Sequence, residues 1–397
     1  MSLRFGREFV AIPGPSVIPD RVLAAMHRPA PNIYEGEIIA LTESVLADLA
    51  ELARTRQARP VIYVANGHGA WEAAIANLFS RGDRALVLDA GRFAAGWGEM
   101  AARMGVEVEL IATDGRRAVD PQALEDRLRA DKERRIKAVL TVQVDTASSA
   151  LNDVAALRAA IDAAGHPALL CVDCIACLGS IPFEMDAWGV DVMVGAGQKG
   201  LMTPPGLGFV WVGPRAWAAQ GDLVTQYWDW RARAEPELFY QRFCGTCPTH
   251  HLFALREALT MLLREEGLEA AWRRHRALAE AVRACVAGWA EGGALEFNVL
   301  APEQRSDVVT TILARGVDAE AMRLRAHREL GLVLGVGLGP FAGQAFRIGH
   351  MGHLNPPMIL GALGAAEAAL IAQGAPLRSG LAAAAETIAR HMDKDGR

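Results

Sequence analysis

From about residue 60 the chain alternates short apolar, β-branched runs with longer amphipathic stretches. "PVIYVA" (60–65) leads into "GAWEAAIANLFSRGD", "RALVLDA" (84–90) into "FAAGWGEMAARMG", and "VEVELIA" (106–112) into "DPQALEDRLRADKERR". The alternation continues through "IKAVLTVQ" (136–143), "DVAALRAAIDAAG", "PALLCVD" (167–173), "VDVMVGAG" (190–197) and "GLGFVWVG" (206–213). Runs that are apolar nearly throughout are buried on both faces. With helices between them they predict a mainly parallel sheet covered on both sides. Binding chemistry in such a sheet collects in the loops at the carboxyl ends of its strands.

After about residue 250 the pattern turns helix-rich, as in "LFALREALTMLLREEGLEAAWRRHRALAEAVRACVAGWA", and the chain closes in alanine-rich helices. One strand-like piece, "SDVVTTILA" (306–314), interrupts them. That change predicts a second, smaller α+β domain at the C-terminus.

Composition narrows the classes of partner. Across 397 residues the chain is 51% hydrophobic and 22% charged, with a formal net charge of -5, the profile of a large soluble globular protein of one large or two or three ordinary domains. Nucleic-acid binding needs a surplus of Lys and Arg, and no basic stripe supplies one, so no nucleic-acid partner is expected. "MSLRFGREFVAIPGPSVIP" has no apolar core of signal-peptide length, and no uncharged apolar run reaches the roughly 18 residues of a membrane span. A cytoplasmic protein with no membrane contact is the expectation. Six cysteines are too sparse for a disulfide framework and should stay thiols in a reducing compartment.

Five of those cysteines are clustered: "CVDCIAC" (171–177) and "CGTC" (244–247). Paired Cys-x-x-Cys elements can hold a tetrahedral zinc ion. However, Cys171 sits in the apolar run "ALLCVD", where side chains alternate faces, so Cys171 and Cys174 would point apart if the strand continued. The stretch also lacks the glycine or polar turn that a zinc knuckle needs. Buried packing thiols and no metal are therefore expected.

Asp173 is the anomaly in that segment. A carboxylate at the end of a buried strand needs a cationic or strongly hydrogen-bonding partner, or a turn to cap. Lys199 lies 26 positions further on, in "VGAGQKGLMTPPGLGFVWVG", a loop of small residues between two apolar strands. Partial desolvation there would lower its pKa, as an imine-forming lysine requires. A Schiff-base lysine with a carboxylate for a protonated ring nitrogen meets the needs of pyridoxal phosphate. "VANGHGAWEAAIANLF" would supply a phosphate cradle, with Asn66-Gly67-His68-Gly69 opening a helix. Phe93, in "DAGRFAAGWGEM", is the candidate to stack on the ring.

Together these motifs resemble the class V aminotransferases of the fold-type I pyridoxal phosphate superfamily, particularly the serine-glyoxylate and alanine-glyoxylate branch. The resemblance covers nearly the whole chain, from "IPGPSVIPDRVLAAM" to "GLGPFAGQAFRIGHMGHLN", and is most specific in the set Asp173, Gln198-Lys199 and Arg347. It implies a large domain over 17–262 with a mainly parallel seven-stranded sheet, a small α+β domain over 263–397, and residues 1–16 packed near the active site. Lys199 would then be the Schiff-base lysine and the base of the 1,3-proton shift. Asp173 would bind the pyridine nitrogen, with Ile175 beneath the ring and Phe93 stacked on it. Gly67, His68 and Gln198 match phosphate-binding positions, and Thr246 matches a threonine reaching the phosphate from the partner of a homodimer. Thr146 matches a Ser/Thr near the cofactor hydroxyl. Arg347, in "FRIGHMG", matches the clamp for the substrate α-carboxylate, and Ser16 and Tyr34 are further candidate substrate contacts.

The departures bear on specificity. Serine-glyoxylate relatives usually carry a His-Arg pair where this chain has Tyr34 and Glu35, "NET" where it has Val144-Asp145-Thr146, and an aromatic residue where it has Gly245. The expected reaction moves the amino group of serine, alanine or aspartate to a small 2-oxo acid such as glyoxylate or pyruvate. Of the rivals, a cysteine desulfurase would need a nucleophilic cysteine, and 320–347 has none. A pyridoxamine-pyruvate transaminase would carry an additional arginine near Leu338. A metal-binding or redox protein built on the clustered cysteines would have no use for Lys199.

Overall fold

The computed structural model describes residues 3–395. A short strand β1 (Phe9–Ala11) comes first, followed by β2 (Arg59–Val64), β3 (Arg84–Asp89), β4 (Glu107–Ala112), β5 (Ile136–Val142), β6 (Leu169–Asp173), β7 (Val192–Ala196) and β8 (Leu207–Val212). The strands β2 to β8 form one seven-stranded sheet in the order β2-β8-β7-β6-β5-β3-β4. Its neighbours are parallel except at β8, which runs antiparallel to both β7 and β2. This is the mainly parallel sheet that the apolar runs predict.

Burial follows position in the sheet. Every residue of β6, β7 and β8 is buried. By contrast β4, at the edge, carries Glu107 and Glu109, which pair with Arg84 and Arg127. Charge on an exposed edge strand discourages pairing with another chain. Alternate residues feed two cores: Ala85 and Val87 pack with Trp71 and Trp97 on one face, whereas Leu86 and Leu88 pack with Leu124 and Leu157 on the other.

The remaining strands are β9 (Leu295–Phe297), β10 (Val309–Ala314), β11 (Leu332–Val336) and β12 (Ala345–Gly349). They join β1 in a five-stranded sheet of order β1-β11-β12-β10-β9. The sequence pattern predicts only the β10 region of this sheet, because β1 and β9 are three residues long and too short to show a period. Helices Leu268–Ala290 and Pro356–Ala372 bury Val282, Trp289, Leu363 and Leu370 against it. β1 pairs in parallel with β11, and the chain that follows it, Pro13 to Ser16, hydrogen-bonds Gln198 and Lys199 just beyond the carboxyl end of β7.

Candidate active site

Five parallel strands place their carboxyl ends on one cavity of about 250 Å³. Asn66, Gly67 and His68 follow β2, Phe93 follows β3, Thr146 follows β5, Asp173 and Ile175 end β6, and Gln198 and Lys199 follow β7; all of them line it. Nine residues drawn from across 134 positions of sequence thus meet at the sheet edge where an open α/β fold presents its ligands.

Lys199 is held by the N-terminal segment. Its Nζ donates to the Pro13 carbonyl, its own carbonyl accepts from Ser16 Oγ at 2.6 Å, and Ser16 N–H donates to the Gln198 carbonyl at 3.0 Å. Gly14 makes this approach possible. Its φ is +91°, and a Cβ there would fall 2.3 Å from Lys199 Nζ, so a side chain would displace the lysine. Burial, assisted by the positive Arg347, lowers the Lys199 pKa to about 8, against the opposing pull of Asp173.

Asp173 is 5% exposed. Its Oδ2 accepts from Trp71 Nε1 at 2.8 Å and its Oδ1 from the Ile175 N–H at 2.6 Å. These two donors and Lys199 favour the carboxylate, yet burial outweighs them and pushes the pKa up to about 7. A buried carboxyl poised in this way would gain from a cationic ring nitrogen placed before it.

At the other end of the cavity, the helix Gly67–Leu78 opens on Asn66, whose side chain accepts from the Gly69 N–H at 3.2 Å. Gly67 is fixed by close packing, since a Cβ on it would sit 2.5 Å from Ile175 Cδ1. The imidazole of His68 lies 4.5 Å from the Trp71 ring, and Trp71 meets Phe93 edge-on at 6.4 Å. Burial and the nearby Arg92 keep the His68 pKa below its ordinary value. Gln198 Oε1 is buried without a hydrogen-bond partner among the described residues. An acceptor left unpaired in a cavity wall costs free energy unless something binds it.

Arg347, on β12, is 7% exposed. Its Nε donates to the Val336 carbonyl at 2.6 Å and one terminal nitrogen to the Thr146 carbonyl at 2.8 Å. Among the described residues it pairs with no carboxylate. His350, three residues on in "RIGHMG", is structural: its ring bridges the Asp307 carbonyl and Thr310 Oγ1, and burial lowers its pKa to about 3.

Four predicted contacts do not line the cavity within one chain. Ser16 and Arg347 are bonded to the carbonyls of the lining residues Lys199 and Thr146. Tyr34 is 73% exposed on the loop before the helix Glu37–Leu52, and Thr246 is exposed in the turn after Phe243. The cysteines are dispersed among separate cores. Cys171 packs on one face of the large sheet, Cys174, Cys177 and Cys247 on the other, and Cys285 in the core of the five-stranded sheet. Cys177 Sγ donates to Gln143 Oε1 at 2.9 Å.

Sequence reasoning missed Trp71, Pro13 and Asp145. Trp71 had a readable signal, lying four residues after Gly67 and so on the same helical face. Asp145 and the Pro13 carbonyl meet their partners only through the tertiary fold.

A seven-stranded sheet of this order, with a lysine and a carboxylate facing one cavity at neighbouring strand ends, defines an α/β enzyme of the aminotransferase fold. The chain belongs to the class-V aminotransferases: the family described as "Aminotransferase class-V" matches residues 20–338. It is 40% identical to a serine-glyoxylate aminotransferase of Methylorubrum extorquens, over 96% of each chain. It is 36% identical to an L-aspartate-glyoxylate aminotransferase of Paracoccus denitrificans, over 95% of each. The crystal structure of a pyridoxamine-pyruvate aminotransferase from Mesorhizobium loti superposes with a TM-score of 0.87 at 28% identity, over the whole of both chains.

Proposed function

We propose that this transaminase uses pyridoxal phosphate to move the amino group of a small amino acid, serine, alanine or aspartate, to glyoxylate. The observation that carries the cofactor is the donor set of the cavity. Asp173 is buried with its carboxyl toward a space lined by Lys199, and the Gln198 carboxamide, whose NH2 can donate to a phosphate, lies in the same wall. These residues fit the group. Lys199 would bear it, Asp173 would pair with its ring nitrogen, and Phe93 and Ile175 would flank the ring. The first amides of the helix Gly67–Leu78, with His68 and Gln198, would hold the phosphate, and Thr146 the ring hydroxyl. Pyridoxal phosphate, when bound, supplies the electron sink that makes the Cα proton of an attached amino acid labile.

The chain's own groups do the rest. Arg347 presents its guanidinium beside Thr146 with no carboxylate among the described residues to occupy it, which suits the fork to the α-carboxylate of donor and acceptor alike. Held there, the substrate is oriented so that its Cα–H faces the lysine, and orientation of this kind accounts for a large part of such rate enhancements. Lys199 Nζ, with a pKa of about 8, takes the Cα proton of the amino donor and returns one to Cα of the oxo acid in the second half-reaction. The segment Pro13–Ser16 covers the lysine and limits access of water.

Glyoxylate as acceptor is supported by the names of the serine and aspartate relatives. Pyruvate is the second reading, favoured by the pyridoxamine-pyruvate neighbour; against it, the chain around Leu338 reads Gly337-Leu338-Gly339-Pro340 and carries no arginine. A homodimer is the working unit in this reading, since Thr246 lies outside the cavity of its own chain. A cytoplasmic setting agrees with the free thiols; no helix among the described residues is long and apolar enough to cross a membrane.

The test is spectroscopic and kinetic. Purified protein should be yellow, lose its visible band on borohydride treatment, and be colourless and inactive as Lys199→Ala. A panel of amino donors against glyoxylate and pyruvate, read as kcat/KM, should rank glyoxylate first. A Lys199→Ala protein that keeps the band and the activity would overturn the cofactor assignment, and a higher kcat/KM with pyruvate would overturn the acceptor.

A further inference from the structure

We infer that Asp145 is a positioning residue that holds both sides of the substrate site, fixing the helix that carries Phe93 and the turn that seats Arg347. The inference rests on the transaminase reading above, because it assigns Asp145 a part in that reaction.

The helix Arg92–Arg103 begins after Gly91, which has no side chain to cap it. Its exposed first-turn N–H groups need an acceptor from elsewhere, and Asp145 is that acceptor. Its Oδ2 accepts from Phe93 N–H at 2.8 Å and Ala94 N–H at 3.1 Å. These are the donors that a capping side chain would normally satisfy from within the same segment, and the carboxylate also sits at the positive end of the helix. Its Oδ1 accepts from Ala147 N–H at 2.9 Å and Ser148 N–H at 3.4 Å. Those bonds close the turn whose Thr146 carbonyl receives Arg347.

One carboxylate therefore joins the cavity's aromatic wall to its guanidinium. The fit is tight, since a Cβ on Gly91 would lie 2.5 Å from Asp145 Cγ. The four N–H groups also occupy the oxygens that could otherwise collapse onto Arg347. Asp145 thus stands near the buried guanidinium without forming an ion pair with it, and the fork stays open for a substrate carboxylate. Burial raises the Asp145 pKa, and the four backbone donors oppose that rise.

Asp145→Asn keeps the shape but turns an NH2 toward one of the two N–H pairs. In the assay where wild-type transamination has first been established, this variant should raise the KM for both amino donor and oxo acid, lowering kcat/KM on the order of a hundredfold with a smaller fall in kcat. The visible circular dichroism of the bound cofactor should change as Phe93 shifts. Asp120→Ala removes a side-chain cap far from the cavity, at Gln122 N–H, and should leave KM and dichroism at wild-type values. If Asp145→Asn does not fold, Gly91→Ala, which presses on the same carboxylate while keeping its charge, is read for the same KM-weighted loss. A folded Asp145→Asn or Gly91→Ala protein with a lowered Tm but wild-type KM, kcat and dichroism would reduce Asp145 to a stability role and overturn the inference. An inactive wild type would instead overturn the transaminase reading.

Discussion

At the scale of single residues, the site works by opposing burial to charge. Lys199 is lowered to about 8 from the usual 10.5, so its cation is disfavoured in the folded protein. The stability linked to this group is therefore present above the unfolded value and is lost as pH falls from 10.5 toward 8. In cofactor-free protein, reductive methylation of Lys199 followed by peptide mass spectrometry should rise with a midpoint near 8; a midpoint near 10.5 would mean the amine is solvated. Asp173 is shifted up to about 7 from 3.8, so between those values the folded protein binds more protons than the unfolded chain. Cofactor-free protein should thus lose stability as pH rises from about 4 to 7, and Asp173→Asn should flatten that part of the Tm profile. Arg347→Ala should raise the KM for amino and oxo acids by about a hundredfold or more, as expected when a charged bidentate contact is removed, while the visible spectrum stays intact.

At the scale of elements, the helix Gly67–Leu78 shows how a local cap serves the cavity. Asn66→Ala removes the acceptor for Gly69 N–H and should cost about 1 kcal/mol in urea unfolding, together with weaker binding of inorganic phosphate. Unchanged phosphate affinity would separate the cap from the anion site. The strand and helix alternation of residues 60–213 was legible because strands buried on both faces read as apolar runs between amphipathic segments. Asp173 and Lys199 could be singled out for the same reason, as charged groups where such runs end. The five-stranded sheet was largely illegible, since β1 and β9 have three residues each and β11 and β12 five, too few for a period to stand out. The helix Glu37–Leu52 did carry a signal, with Ile38, Val45, Leu49 and Leu52 buried on one face. Asp145 stood out only as part of the departure from "NET" at 144–146; its bonds had no local signal, since only the fold brings the Phe93 and Ala94 amides to it.

At the scale of the molecule, the cavity and the exposed Thr246 pose a question of completeness. Within one chain Thr246 lies in a turn and is not among the twelve residues that line the cavity, and a threonine that serves the phosphate, as proposed, would come from a second copy. In a two-fold dimer the same contact occurs twice, each subunit completing its partner's site. Lys199→Ala should be inactive and Thr246→Ala weakened through lower cofactor affinity. Unfolded together and refolded, the two variants should form mixed dimers in which one site keeps both Lys199 and a partner Thr246. If half of the dimers are mixed and each has one intact site, activity should recover to about a quarter of wild type. Activity no higher than the average of the two variants measured separately would place Thr246 in its own chain's site or in none, and light scattering that shows an active monomer would remove the dimer from the mechanism.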